Sequence, residues 1–363
     1  MVSIRTLWQK LVDPIDPPLM MMAALLLVFA LVIVASASIE RVNAQLFNML
    51  IAVIVMRVAA QVSPQKLMYF AMPLFVAGLL LLVAVALFGD VSKGARRWLN
   101  LGFMRIQPSE IMKIAMPLML AWYFQRHETY LRLREYVVAA LILLLPVALI
   151  AKQPDLGTAI LVLAAGFYVI FFAGLSWKVL IGLGLAAIGM APVVWTMLHD
   201  YQRSRILTLL DPEADPLGKG FHIIQSTIAI GSGGLFGKGW GQGTQAQLEF
   251  IPERHTDFIF AVLGEEFGLL GCLVLLILYA LLIGRGMMIA ANAPTLFTRL
   301  LAGSITLIFF TYAFVNMGMV SGILPVVGIP LPFVSYGGTS LTTLFLGIGI
   351  MMSIHKHRML VQK

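Results

Sequence analysis

The chain has 363 residues, 60% hydrophobic and 12% charged, with a mean hydropathy of +0.94, whereas a soluble domain carries roughly 45–50% apolar and 25% charged residues; a soluble globular enzyme is excluded. The 25 Lys and Arg against 17 Asp and Glu leave a formal charge of +8. With no long basic run, that surplus points to anionic lipid headgroups or an anionic lipid-borne substrate and not to nucleic acid. The single cysteine, Cys272, lies in an apolar run, so no disulfide framework, Cys-based zinc site or redox pair is expected.

About 20 apolar residues cross a bilayer, and the hydropathy pattern predicts ten spans at 19–37, 46–62, 68–88, 108–124, 136–151, 157–173, 178–198, 258–283, 300–320 and 333–353. The expected fold class is an all-α polytopic membrane protein with ten transmembrane helices. The first span has an Ala35-Ser36-Ala37 resembling a cleavage site, but its apolar run is too long for a signal peptide, so it is read as an uncleaved span. An even count puts both termini on one side. Placing them in the cytoplasm sets 12 Lys and Arg inside against 6 outside, leaving out the long stretch 199–257, as the positive-inside rule requires. Two extracytoplasmic loops result, 89–107 and 199–257, the latter between spans seven and eight and too long for a mere connection. Repeats and low-complexity linkers are not visible, so residues 1–363 read as one integral membrane domain.

The loop 89–107 contains Asp90, Lys93, Arg96, Arg97 and Arg105 beside Trp98. A net +3 on an outer loop opposes the topology rule. Pairing with lipid phosphates, with Trp98 as an interfacial anchor, is the plain explanation; Arg forks gripping a pyrophosphate-bearing lipid is the sharper one. Gln107-Pro108-Ser109-Glu110 opens the fourth span, with Pro at the first helical position. Glu110 and Lys113, three residues apart on one face, can pair, as a structural ion pair or as a substrate contact. The glycine-rich 231–243 is not a phosphate loop, because Gly237-Lys238 is followed by Gly239 where Ser or Thr is needed. It reads as a flexible or tightly turning outer loop, with close backbone approach to a ligand as the lesser alternative.

Glu249-Phe250-Ile251-Pro252-Glu253-Arg254-His255-Thr256-Asp257-Phe258 runs from polar loop into apolar helix, which places Asp257 at the water–lipid boundary. Thr256 or Asp257 could cap that helix; alternatively Asp257 is a general base at the depth of a lipid-linked head group, with Arg254 and His255 available for anions. Glu265 and Glu266 lie about two turns deeper, suited to a buried pairing with Arg57 or another cation. The Pro- and Gly-rich 321–340 is predicted to be a non-helical cavity wall, tolerated at membrane depth only where shielded.

At Lys93-Gly94-Ala95-Arg96-Arg97-Trp98, Gln107-Pro108-Ser109-Glu110, Gln153-Pro154-Asp155-Leu156-Gly157-Thr158, Arg254 to Phe260, Gly264-Glu265-Glu266 and Val334-Ser335-Tyr336-Gly337-Gly338, the sequence resembles the SEDS (shape, elongation, division and sporulation) family. Pro325-Val326-Val327-Gly328 is similar to its rod-shape branch; the division branch typically has Thr-Lys before this Gly. The resemblance implies a peptidoglycan glycosyltransferase in the bacterial cytoplasmic (inner) membrane, its active site facing the periplasm. Such an enzyme polymerises lipid II into β-1,4 glycan strands for cell elongation and releases undecaprenyl pyrophosphate. The implied partners are lipid II and the growing strand, a class B penicillin-binding transpeptidase and other elongation-complex membrane proteins.

The family's essential carboxylate falls on Asp257, which displaces the capping reading. Its polar residues around the fourth span fall on Arg105, Gln107, Glu110 and Lys113. Arg96, Arg97, Trp98, Arg203, Arg254, His255 and Ser335 complete the expected substrate-binding set. A divalent cation such as Mg2+ or Mn2+ is the one cofactor candidate, and its ligands are unknown. Two alternatives stay open: a lipid II flippase, which would tolerate loss of Asp257, and a non-catalytic scaffold for the transpeptidase, in which Asp257 would only cap a helix.

Overall fold

A computed structural model describes residues 15–361 apart from 93–94, 101, 103–104, 130, 199, 216–217, 219 and 252. The Lys93-Gly94 start of the basic motif therefore lies outside the described residues.

Each of the ten apolar segments forms a helix: α1 (Pro17–Ala37), α2 (Val42–Gln61), α3 (Pro64–Phe88), α4 (Pro108–Arg126), α5 (Leu133–Lys152), α6 (Leu156–Phe172), α7 (Trp177–Met197), α11 (Ile259–Ala291), α12 (Leu296–Val320) and α13 (Gly338–Val361). Between α7 and α11 lie the shorter α8 (Asp200–Leu210), α9 (Phe221–Ser232) and α10 (Thr244–Gln247). Among the described residues, eight helices are long and apolar enough to cross a membrane. Of the other two, α6 is apolar but has only 17 residues, and α4 carries Glu110, Lys113 and Arg126. Starts are set by local chemistry. Pro17, Pro64 and Pro108 stand at first positions where a missing N–H costs nothing, and Asp16 and Asp155 accept from Leu19 N and Thr158 N, as N-caps do.

The all-α expectation misses one small element. The loop 89–107 folds into an antiparallel sheet of β1 (Asp90–Ser92), β2 (Ala95–Asn100) and β3 (Arg105–Ile106), in that order, with Asp90 opposite Trp98 and Asn100 opposite Arg105.

At the centre, α12 packs against α4, α6, α11 and α13, and α2 packs along α13. Leu, Val, Ile and Phe side chains of α1, α2, α3, α5 and α7 point outward, as expected where the surroundings are lipid and not water. Helix α7 is the extreme case, with none of its described residues buried.

The glycine-rich 231–243 completes a broken helix. Gly268 (φ 63°, ψ −159°) interrupts α11. Lys238 N and Gly239 N donate to the carbonyls of Glu265 and Glu266, while Leu269 N and Leu270 N donate to the carbonyls of Gly234 and Leu235. Unpaired backbone groups at membrane depth cost several kcal/mol each, so this exchange lets the helix break inside an apolar span. Only glycine permits the approach; a Cβ on Gly237 would lie 2.1 Å from the Glu266 carbonyl oxygen.

Candidate active site

Asp257 stands on a tight turn, 253–258, just before α11. The helix starts with Phe258 at its N-cap, which makes no side-chain bond, so Thr256 and Asp257 both precede the capping position. Three elements hold the turn. Asn316 Nδ2, from the last turns of α12, donates to Asp257 O at 2.8 Å and to Ile329 O at 2.7 Å. Ser335 Oγ donates to Thr256 O at 2.6 Å and accepts from Leu331 N at 2.7 Å. Tyr336 N donates to His255 O at 2.9 Å. The Asp257 side chain is half-buried and faces Gly328, where an added Cβ would sit 3.3 Å from Oδ2. Gly328 has φ 75°, a left-handed value that favours glycine. The segment 321–337 contains no helix or strand, as expected of a cavity wall, and it is tied on both sides to the Asp257 turn.

The wall also links the turn to the basic sheet. Gly157 at the start of α6 packs so closely that a Cβ would lie 2.9 Å from Val327 O. The same corner receives the first loop: an Arg97 Nη donates to Pro154 O at 2.6 Å, and Gln107 Nε2 donates to Asp155 Oδ2 at 3.1 Å. Arg205 on α8 donates from Nη to Val326 O at 2.8 Å. Sheet, corner and Asp257 turn are thus one connected body at one end of the bundle.

Arg97, Gln107, His255, Ser335 and Asp257 belong to this body. Arg254 is built into its frame, donating to Ala37 O, Ala246 O and Glu249 Oε1. Arg96 and Arg105 stand exposed on the sheet and Trp98 is half-buried there. Glu110 and Lys113 pair at 2.6 Å at the start of α4; Lys113 also meets the Tyr312 hydroxyl, and Thr343 Oγ1 donates to Glu110 Oε2 at 3.2 Å. Arg203 lies apart, donating to Trp195 O and Thr196 O at the end of α7. Deeper in α11, Glu265 pairs with Lys238 at 2.8 Å and accepts from Gln245 N and Ala246 N, while Glu266 accepts from Ser36 Oγ at 2.6 Å. The expected buried cation is thus Lys238 of the glycine-rich segment.

Sequence reasoning passed over Asn316, Arg205, Gly328 and His222. A lone Asn in an otherwise apolar span was a usable signal, since polar groups at that depth usually have a partner. The His222 ring stacks on Phe258 at 5.8 Å, next to Asp257. Burial pushes its pKa below the usual 6.5, with Glu253 opposing the shift, so the imidazole beside the carboxylate is neutral at pH 7.

The sequence model of the FtsW/RodA/SpoVE family, described as cell cycle protein, matches residues 17–360. The chain belongs to this family. It is 52% identical to the peptidoglycan glycosyltransferase MrdB of Escherichia coli K12, an alignment covering 99% of this chain and 98% of that one. Among solved structures of family members, RodA of Thermus thermophilus superposes with a TM-score of 0.72 at 31% identity, covering 94% of this chain and 97% of that one. A chain from a peptidoglycan synthase complex with coordinated polymerization and crosslinking superposes with a TM-score of 0.82 at 37% identity, covering 94% and 98%. The chain thus has the family's membrane-spanning helical fold.

Proposed function

We infer that Asp257 is the general base with which this chain, a peptidoglycan glycosyltransferase of cell elongation and rod shape, extends glycan strands. The observation that carries the role is its placement: a half-buried carboxylate just before the N-cap of α11, on a turn pinned by Asn316, Ser335 and Tyr336. The substrate is lipid II. Asp257 takes the proton from the acceptor's GlcNAc 4-hydroxyl as that oxygen bonds to the donor's anomeric carbon. The bond from that carbon to the pyrophosphate oxygen breaks on the opposite face, so an α-linked lipid pyrophosphate becomes a β-1,4 glycoside in one inverting displacement. Undecaprenyl pyrophosphate leaves with the bonding electrons.

The leaving group gathers negative charge that cations must meet. Arg96, Arg97 and Arg105 sit on the sheet that the 153–158 corner joins to the Asp257 turn, and Arg205 adds a further cation beside Val326. Lys113, held by Glu110 and Tyr312, and Arg203, bonded at the end of α7, are the less available members of the set. Among the described residues no group of three His, Cys, Asp or Glu side chains gathers as a metal-ligand set. The reaction is derived from the chain's own side chains.

The chain spans the bacterial inner membrane ten times with both termini in the cytoplasm, which puts the site in the periplasm. Ten helices and the 12-to-6 distribution of Lys and Arg support that topology. Its partner is a class B penicillin-binding transpeptidase, a reading supported by the likeness to a synthase complex that couples polymerization to crosslinking. The test is lipid II polymerisation by the purified chain with that partner. Asp257→Asn should fold, bind the partner and lose glycan product by roughly a hundredfold or more. Full activity of the folded variant would sink Asp257 as the base, whereas no glycan from the wild-type chain with an active partner would return the flippase and scaffold readings.

A further inference from the structure

The pyrophosphate cations and Asp257 leave unexplained a second concavity on the other side of the catalytic turn. A cleft of about 680 Å³ runs between the end of α1 and the 247–255 segment, lined among others by Glu40, Arg41, Gln247, Glu253 and His255. Directly below it, on the membrane-facing flank, lies an almost wholly apolar groove of about 490 Å³ between Leu31, Val32, Val42, Leu46 and Phe267. Ala35 and Trp240 line both, so the two are one continuous surface, polar above and apolar below.

The seam is fixed. Trp240 Nε1 donates to Val32 O at 2.9 Å, which leaves the indole face, half of it exposed, to a ligand. Trp is at home where one end is wet and the other apolar. The cleft rim carries Glu249 (φ 62°) and Glu253 (φ 51°), two non-glycine residues in left-handed backbone, the kind of strain that gathers at ligand sites. His255 both lines the cleft and stands two residues from Asp257, so the cleft opens onto the catalytic turn.

We propose that this cleft and groove hold the attacking substrate: a saccharide linked to a single isoprenoid chain, its sugar in the cleft and its first isoprene units in the groove. The proposal rests on the glycosyltransferase reading above. The choice of occupant follows from charge. Glu40, Glu249 and Glu253 interleave with Arg41 and Arg254 around the cleft, a mixed lining that suits sugar hydroxyls, which take bonds from carboxylates and amides and stack on an indole face, with Arg41 at hand for the pyrophosphate that the attacking substrate keeps. The leaving group belongs at the basic sheet, across the 327–329 wall. Asp257 then lies between the two, where an attacking hydroxyl must lose its proton.

Leu46 is half-exposed on α2 and outside the core, so Leu46→Trp fills the groove without disturbing packing. Leu50, one turn further and also exposed, is not among the groove-lining residues and serves as the control through Leu50→Trp. The experiment uses the full chain with its transpeptidase partner in nanodiscs of phosphatidylglycerol and phosphatidylethanolamine. Retention of radiolabelled lipid II is measured on Asp257→Asn protein, where no turnover intervenes, and the KM and kcat of polymerisation are measured on protein with Asp257 intact. Leu46→Trp and Trp240→Ala should each lower retention and raise KM by roughly fivefold or more, leaving kcat within about twofold, with Leu50→Trp unchanged. Unaltered retention and KM in both groove variants would overturn the proposal, as would equal displacement of lipid II by added phosphatidylglycerol. Groove-dependent retention by a chain that makes no glycan would uphold the site while refuting the enzyme reading, so the two failures are distinct.

Discussion

Asn316 bridges Asp257 and Ile329: its one amide nitrogen donates to both backbone carbonyls, at 2.8 and 2.7 Å. Both N–H groups are spent on joining the Asp257 turn to the 321–337 segment, from a helix buried at the centre of the bundle. Asn316→Leu keeps the volume and removes the donors, which leaves two carbonyls short of a partner at about 1–3 kcal/mol each. The expected result is a folded protein whose polymerisation rate falls by roughly tenfold or more while lipid II retention changes little. Equal rates in wild type and variant, measured on protein of matched folding, would show that the turn is held without this bridge.

Gly328 is required twice over, by its φ of 75° and by the 3.3 Å that would separate its Cβ from Asp257 Oδ2. Gly328→Ala is expected to cost about 1 kcal/mol in backbone strain and to push the carboxylate out of line. Polymerisation should fall much further than thermal stability does. A variant with wild-type turnover would mean that the carboxylate does not depend on this wall.

What could be read from the sequence was whatever is local along the chain. Pro108 and the Glu110–Lys113 spacing set the start of α4 and its ion pair, and the polar-to-apolar step at Asp257 placed a carboxylate at a helix entry. The rest depends on contacts between distant segments, which no periodicity encodes. Gly237 looked like loop flexibility, whereas its missing Cβ serves a backbone more than 25 residues away, at Glu266. Arg254 looked free for an anion, yet it ties Ala37 to Ala246. The sheet in 89–107 was invisible because its strands are two to six residues long and lack a clear alternation of apolar and polar residues.

His222 gives the site an acid limit. Burial lowers its pKa below 6.5, so the native state binds fewer protons than the unfolded chain once the pH drops past that value. Stability from this group is therefore constant above pH 6.5 and is lost as the pH falls toward the lowered native value. His222 Nδ1 is buried without a hydrogen bond, so His222→Phe should keep the stack on Phe258, abolish this part of the pH dependence and leave stability at pH 7.5 unchanged or slightly raised. Unfolding midpoints of both proteins between pH 5 and 8 decide it; parallel curves would exclude His222 as the source.

At the opposite end of the bundle, Asp16 caps α1 and is gripped by Arg285 through two bonds, 3.1 Å from Nε and 2.5 Å from an Nη, with His355 Nε2 at 3.4 Å. The cluster fastens α1 to the far ends of α11 and α13. Burial disfavours the Asp16 carboxylate, but the Arg285 bonds, the Leu19 N–H and the charges of Arg285 and His355 outweigh it and hold the pKa below the usual 3.8. A lowered carboxylate pKa stabilises the fold above 3.8, and the contribution disappears as the pH falls through the native value. Asp16→Asn keeps an N-cap and leaves Arg285 without its counter-ion, at a cost of about 2 kcal/mol because the arginine is partly exposed. Denaturation of the detergent-solubilised chain should show the variant less stable at pH 7, with the gap to wild type closing as the pH falls below 3.8 through the lowered native value. A gap independent of pH would assign the loss to packing and not to the charge.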